Sequence, residues 1–468
     1  MITISLKPNS KTPMYIQIYE YIKGEILNGN LSHPEKLPSS RSLASHLQVS
    51  RSTVDIAYEQ LVAEGYVDAK EKRGYFVNPI THTQNFHVTS PADRPAEPVK
   101  IPETFPYDFD PDAVDTSHFP YSVWKSIGKN QLDNPENFIS GSHYGNEELR
   151  QAISDYLHGS RGVNCSPEHI VVGAGLAHLL QMLCVLFEHG GVIAMEEPGY
   201  RSARQVLHSG GFEILDLPLK EDAFDTEALE NTSANICYVT PSHQFPLGSV
   251  LSIARRQQLL AWASEAPDRY IIEDDHDSEF RYQGLPIPAL QSLDHKHRVI
   301  YIGTFSKAIS PAIRMGYMVL PETLAKAYRE RCSFYPCPVP RLNQAVITDF
   351  IRQGSFEKHL NRMRKLYKGR HDRMVEAISR YLPEENFDIT GDNAGLYLIL
   401  RYHGPLDEKT IEKRAEKNGI RLRSLRDYYA NPPADYLPSY LLGFAGMEDE
   451  AITEGIRHLA ERVFLSPP

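Results

Sequence analysis

In the run YIGTFSKAISPAIRMGY (301–317) a β-rich stretch ends on Thr304, Ser306 and Lys307, and Arg314 follows seven residues later. An amine among hydroxyls and backbone N–H groups at the carboxyl edge of a strand lies where doubly wound sheets bind ligands. Desolvation or a nearby cation activates such a lysine as a nucleophile that forms a Schiff base. Arg314 would supply that cation and a grip on a phosphate. Taken alone, the pattern equally describes a surface lysine near a structural arginine.

Three other segments carry related chemistry. In RYIIEDDHDSEF, strand alternation puts Asp274 and His276 on one face and Asp275 and Asp277 on the other. A carboxylate in a dry pocket beside a pyridine nitrogen keeps that nitrogen protonated, which turns the ring into an electron sink. The competing reading is a metal site of Asp274, His276 and Glu279. No second ligand cluster accompanies it, and we expect no metal. The turn GAGLAH (Gly173, Ala174, Gly175, Leu176 onward) passes from strand to helix and offers free N–H groups to a phosphate. It lacks the third glycine and downstream acid of a dinucleotide fingerprint. In EEPGY, Tyr200 follows a strand end, where its ring could stack on a planar cofactor or simply fill a core.

The elements that must position these groups alternate. HIVVGAG, VIAMEEP, ANICYVTPS, RYIIEDDHD and RVIYIGTFSK read as strands, with helical stretches such as LAHLLQMLCVLFEH, YRSARQVLHSG and SIARRQQLLAWASEA between them. That order predicts a mostly parallel sheet covered on both faces. From about residue 355 long helices precede the strand-like GLYLILRYH and YLLGFAG, a smaller α+β subdomain. The apolar run 170–187 approaches a membrane span in length, but His178, Gln181 and the Gly-Ala-Gly break fit a buried strand, a turn and a core helix better.

Ahead of this body the pattern differs. Residues 14–28 place Ile16, Tyr19, Ile22 and Ile26 on one helical stripe closed by Gly29. SRSLASHLQ and SRSTVDIAYEQLVAEGY give two short helices joined by a tight turn, and YVDAKEKRGYFVN reads as a β-wing turning at Gly74. In a helix-turn-helix the second helix enters the major groove, so its first turn, Ser50, Arg51, Ser52 and Thr53, would face DNA. Arg41 opens the preceding helix, and Lys72 and Arg73 lie at the wing tip. The plainer alternative is a small helical interaction domain with scattered charges. Between Pro79 and Pro106 six prolines and no periodicity describe an extended linker. The expected organisation is therefore a head at 1–78, a linker at 79–107 and a body at 108–465.

Composition agrees with this division. A chain of 468 residues, 41% hydrophobic and 23% charged, suits two or three soluble units. Its net charge of −11 excludes DNA binding by bulk charge, yet residues 1–80 carry nine Lys/Arg against eight Asp/Glu, a net of +1 that leaves −12 for the rest. Five irregularly spaced cysteines (165, 184, 237, 332, 337) read as reduced thiols of a cytoplasmic protein, and MITISLKPNS shows no secretion signal.

LPSSRSLASHLQVSRSTVDIAYEQLVAEGYV followed by KRGYFV resembles the winged helix-turn-helix of GntR-type regulators over residues 12–78. That resemblance implies Arg41, Arg51, Thr53 and Gly74 as DNA contacts and wing turn. The segments of the body, in their order, resemble fold-type I pyridoxal-phosphate enzymes of the class I aminotransferase group over roughly 108–465. By that resemblance Lys307 would carry the internal aldimine with pyridoxal 5′-phosphate, and Asp274 would pair with the pyridine nitrogen. Tyr200 would stack on the ring, while Gly173 to Leu176, Thr304, Ser306 and Arg314 would hold the phosphate. Tyr144, in HYGNEELRQAISDYL, matches the tyrosine that reaches the partner subunit's phosphate, which implies a homodimer. The departures matter. The asparagine turn beside the ring hydroxyl is replaced by TPSHQFPLG (240–248), leaving His243 or Gln244 to substitute, and the usual tyrosine partner becomes His276. Where an arginine would bind the substrate carboxylate the chain has LLGF (441–444), so Arg423 or Arg426 is the remaining candidate.

A GntR-type head joined by a proline-bearing linker to such a body resembles the MocR subfamily. It implies an α/β protein of winged helix-turn-helix plus fold-type I body, a DNA operator as partner, and a head-to-tail homodimer. The expected function is a transcriptional regulator that senses an amine, an amino acid or pyridoxal phosphate itself. The rival is a working aminotransferase with a vestigial head.

Overall fold

The computed structural model describes residues 4–7, 10–80, 105–188, 190–220, 224–282, 284, 286–391 and 393–465. The chain divides into two units, Met1–Pro102 and Glu103–Pro468. Most of the expected linker, residues 81–104, lies outside the described residues.

In the first unit α1 (Met14–Leu27) buries Ile18, Ile22 and Ile26, spaced four apart, against α3; Ile16 and Tyr19 of the stripe read in the sequence are only partly buried, and Ile18 takes the inner position. Ser39 caps α2 (Ser40–Leu47) by accepting from Ser42 N–H, and Gln48 in the left-handed region ends it. Ser50 caps α3 (Arg51–Ala63) by accepting from Thr53 N–H, so the helix begins one residue later than the sequence pattern suggests. Val54, Ala57, Tyr58 and Leu61 form the buried face of α3, each large aliphatic side chain contributing about 1.5–3 kcal/mol. The Tyr58 hydroxyl donates to Pro38 O at 2.9 Å. β1 (Val67–Lys70) and β2 (Gly74–Val77) form the antiparallel wing, paired from Val67↔Val77 to Lys70↔Gly74. Its turn needs positive φ at Lys72 (58°) and Gly74 (104°), which explains a glycine there.

The second unit begins with β3 (Tyr107–Asp108), α4 (Tyr121–Leu132) and α5 (Glu147–Arg161). Then follow β4 (Ile170–Gly173), α6 (Leu176–Leu186), β5 (Val192–Glu197), α7 (Arg201–Ser209), β6 (Glu213–Pro218), α8 (Thr226–Glu230), β7 (Ile236–Val239), α9 (Ile253–Ser264), β8 (Tyr270–Asp275), β9 (Val299–Thr304) and β10 (Gly316–Val319). These strands make a seven-stranded sheet in the order β4-β10-β9-β8-β7-β5-β6. Only β10 runs against its neighbours, so the sheet is mostly parallel. Alternation along β5 sends Ile193 and Met195 into the core under α6 and α7 and Ala194 into the core under α9. Burial on both faces is why β4 and β7 read as unbroken apolar runs, whereas β8 is buried along its whole length although its last three residues are acids.

Two strands of the seven-stranded sheet went unread in the sequence. β6 is a partly exposed edge strand whose burial does not follow a clean alternation, and β10 is four residues wedged between β4 and β9. The run 170–187 resolves into β4, a turn and α6, and no helix among the described residues is long and apolar enough to cross a membrane.

The chain closes with α10 (Glu322–Arg331), α11 (Arg341–Arg352), α12 (Ser355–Tyr381), β11 (Phe387–Thr390), β12 (Tyr397–Tyr402), α13 (Glu408–Lys417), β13 (Ile420–Arg421), β14 (Arg423–Ser424), β15 (Ser439–Gly443) and α14 (Asp449–His458). Here β11-β12-β15-β14 form a second, antiparallel sheet, and β13 pairs in parallel with β3. The pairing of β3 with β13 ties the start of the body to its last subdomain, and the segment just after β3 reaches the functional site.

Candidate functional site

Residues at or just beyond the carboxyl ends of β7, β8 and β9, the starts of α6 and α7, and residues 111–112 enclose a cavity of about 380 Å³. Parallel strands expose their last N–H and C=O groups at that edge, which is why ligands collect there. Lys307 lies three residues beyond the end of β9. Its ammonium donates to Pro111 O at 2.9 Å and to Asp112 Oδ1 at 3.0 Å.

Asp274, on the last turn of β8's pleat, is 4% exposed and accepts a hydrogen bond from the Tyr238 hydroxyl. Burial pushes its carboxyl up to about 6, against the lowering effect of the His276 charge. The neighbouring Asp275 points to the opposite side. It pairs with Arg161 Nε at 2.9 Å and accepts from the Tyr301 hydroxyl at 2.6 Å. Burial opposes ionisation of Asp275, but the guanidinium outweighs it and holds the carboxyl below its usual range. Arg161 also donates to Ser242 Oγ at 2.6 Å and to Ile287 O. This buried strut fixes the end of β8 and therefore Asp274.

β8 ends at Asp275, so alternation stops there and Asp277 joins Asp274 and His276 at the cavity rather than facing away as the sequence suggested. His276 Nε2 lies 3.2 Å from Asp277 Oδ1, and His243 Nδ1 lies 2.9 Å from the same oxygen. The two imidazoles stack with centroids 5.6 Å apart. Burial alone would lower His276, but the negative charge of Asp277 beside it raises it to about 9. Asp277 itself is held far below the carboxylate range by the two imidazoles, despite its burial. These three residues place ligand atoms within 4.8 Å of one another. The sequence alternative of Asp274, His276 and Glu279 does not assemble, because Glu279 lies elsewhere, beside Tyr156 and Arg364.

Around this centre Thr304, Ser306, Leu176, Tyr200 and Arg314 line the cavity as the sequence pattern required. Gly175 caps α6 with φ 86° and ψ 178°, and a Cβ there would stand 3.3 Å from the Arg314 guanidinium. Arg314 Nη2 lies 3.5 Å from Ala174 O. Backbone N–H groups at a helix start beside a guanidinium make an anion cradle. Gly173 is not on the cavity wall. A Cβ there would collide with Leu179 and His178, so its role is close packing of β4 against α6. Tyr200 meets Phe245 edge-on at 5.3 Å, and burial raises its hydroxyl pKa.

Other candidates are displaced. His243 is 2% exposed and absent from the cavity wall, standing behind His276, where it anchors Asp277. Gln244 is taken up by the turn, donating to Pro198 O at 3.0 Å. Tyr144 is 7% exposed and its hydroxyl donates to Ala325 O of its own subunit at 3.1 Å, so it points into a core rather than outward. Arg426 lies 3.6 Å from Glu408 and over the Tyr436 ring, beside a separate depression. Arg423, on β14, is not on the cavity wall.

Sequence reasoning missed Asp112 and Tyr397. Asp112 sits in a turn-like acidic stretch 195 residues from its partner Lys307. Tyr397 reads as one more core aromatic of β12; it is 2% exposed, lines the cavity, and its hydroxyl has no hydrogen-bond partner among the described residues.

In the first unit Arg41 and Arg51 open α2 and α3 and are exposed, as are Ser52, Lys72 and Arg73. Arg51 lies 3.4 Å from Asp55, a weak surface pair that leaves it free to turn to another anion. The hydroxyls of Ser50 and Thr53 meet at 2.7 Å, so they cap the helix first. Gly74 forms the wing turn, where a Cβ would touch Lys36 Cε at 3.0 Å.

Comparison with known proteins follows this division. Residues 14–77 match the family described as bacterial regulatory proteins, gntR family, and residues 113–459 match aminotransferase class I and II. The HTH-type transcriptional regulator YdeL of Bacillus subtilis is 40% identical over 98% of this chain and 98% of its own. The probable rhizopine catabolism regulatory protein MocR of Rhizobium meliloti is 34% identical over 97% of this chain and 94% of its own. Among solved structures, a Pyrococcus horikoshii kynurenine aminotransferase superposes with TM-score 0.67 and 27% identity, covering 77% of this chain and 91% of that one.

Proposed function

Because the chain belongs to the MocR-type GntR regulators, a winged-helix head fused to an aminotransferase class I and II body, we propose that its body binds pyridoxal 5′-phosphate at Lys307 and uses the site to sense a small molecule. The observation that carries this reading is that one cavity presents both an amine, Lys307, and a buried carboxyl, Asp274. When bound, the cofactor supplies a carbonyl carbon for the lysine and a ring that withdraws electrons once its nitrogen is protonated. Asp274 would hold the proton at that nitrogen, its own ionisation restored by the new positive partner. The Gly175 cradle, Thr304, Ser306 and Arg314 would bind the phosphate, and Tyr200 would lie on the ring face. His276, held cationic by Asp277, would donate toward the ring hydroxyl, with His243 fixing Asp277 from behind.

The head would read double-stranded operator DNA through Arg41, Arg51, Ser52 and the wing cations Lys72 and Arg73. Ser50 and Thr53 would shape the helix start that meets the groove. We infer a homodimer, head-to-tail, that offers two heads to two half-sites. We place it with the DNA in the cytoplasm. The effector would be an amine, an amino acid or pyridoxal phosphate, and it would act by favouring one of two arrangements of the dimer. Catalytic turnover is the weaker reading. An aminotransferase needs a cation for its substrate carboxylate, and the cations on the cavity wall among the described residues, Lys307, Arg314 and His276, are all taken up by the cofactor in this reading.

The test is spectroscopic. Full-length protein purified with pyridoxal phosphate is expected to absorb in the visible through its bond to Lys307, and Lys307→Ala to lose that band. A Lys307→Ala protein with the wild-type spectrum contradicts the assignment.

A further inference from the structure

Because α3 buries Val54, Ala57, Tyr58 and Leu61, the opposite face of the helix looks away from the head's core. At about 100° per residue that face carries Ser52, Ile56 and Glu59, all exposed, with the partly buried Asp55 at its edge. Ile56 is 47% exposed and is not among the residues packed against the head's core. A lone exposed isoleucine is ordinary on most surfaces. This one, however, lies one turn beyond Ser52, about 6 Å along the axis of the helix whose start meets the groove.

The neighbours of Ile56 limit what it can meet. Carboxylates repel phosphates, so a turn that carries Asp55 and Glu59 does not rest on the backbone of a duplex. Arg51, 3.4 Å from Asp55, offsets the first of these charges, and the exposed Glu59 keeps the second. The base edges of the major groove suit the same turn well. There a carboxylate can accept from cytosine N4, and an apolar side chain meets the C5 methyl of thymine.

We infer that Ile56 reads a thymine methyl in each operator half-site and so sets part of the head's sequence preference. This rests on the reading of the head as the DNA-binding unit. In the experiment, the protein's own promoter DNA is prepared with thymine or with deoxyuridine, which lacks the C5 methyl. Full-length wild type, Ile56→Val and Ile56→Ala are titrated against both duplexes by fluorescence anisotropy. Wild type should bind the deoxyuridine duplex about fourfold more weakly for each half-site, the transfer value of one buried methyl group. Ile56→Ala should bind the thymine duplex more weakly than wild type and lose that share of the discrimination, while Ile56→Val, which keeps the β-branch, should retain most of it. Changes in the duplex that every protein feels cancel in this comparison. All three proteins should unfold at similar temperatures, since Ile56 stands outside the core. If Ile56→Ala discriminates the two duplexes as wild type does, or binds the thymine duplex as tightly, the inference is wrong while DNA binding by the head stands. A wild-type protein that binds neither duplex removes the DNA reading and this inference together.

Discussion

Gly175→Ala tests the phosphate cradle through one methyl group. Gly175 sits at φ 86°, ψ 178°, a region that residues with a Cβ almost never occupy, so alanine there costs about 1–3 kcal/mol of backbone strain. The same Cβ would stand 3.3 Å from Arg314 Nη2, close enough to push the guanidinium aside by a few tenths of an ångström. Losing one charge-assisted hydrogen bond is worth about 1.5–3 kcal/mol, roughly ten- to a hundredfold in Kd. Gly354→Ala is the control. Gly354 also has positive φ, at 68°, but nothing lies within 4 Å of its Cβ position. Pyridoxal phosphate affinity, measured by fluorescence titration, should fall at least about tenfold in Gly175→Ala and stay near wild type in Gly354→Ala, while thermal unfolding is lowered in both. Equal cofactor affinity in the two variants would refute a phosphate seat at this turn.

Three other outcomes follow from the same geometry. Arg161→Leu strands Asp275 in a buried setting, both side chains being 5% exposed, and should cost about 3–5 kcal/mol in chemical denaturation of the body; a loss under about 1 kcal/mol would remove the strut from the account. His276 is raised to about 9, so its contribution to stability is fully present below its ordinary value of 6.5 and is lost as pH climbs through about 9. Asp277→Asn should abolish that alkaline loss, and a pH profile of thermal stability unchanged by the substitution would contradict the pairing of His276 with Asp277. In the head, Arg51→Ala should weaken operator binding and, if Arg51 meets a phosphate, reduce the salt slope by about one unit; unchanged binding would move the interface away from the start of α3.

Lys307 and Arg314 were readable because a strand end and the loop after it carry both within one short segment, and chemistry that local survives without a fold. The alternation argument for Asp274 and Asp275 held while β8 lasted and failed one step beyond it, at Asp277, where the backbone leaves the strand. His243 carried the right chemical type in the right turn, yet its depth behind His276 depends on packing against Tyr397 and Gly395, which no local pattern encodes. Tyr144 shows the same limit in reverse. Its motif suggested an outward reach, and the core under α10 captured it. Asp112 was invisible because it meets Lys307 only when the segment after β3 folds back across the sheet edge.

The central claim is that cofactor chemistry at Lys307 governs DNA binding by the head. Fluorescence anisotropy of the protein's own promoter DNA, measured for wild type and Lys307→Ala with and without pyridoxal phosphate, tests it most directly. Wild-type affinity should change on adding the cofactor, and the Lys307→Ala affinity should not. An identical response in the two proteins would contradict the account.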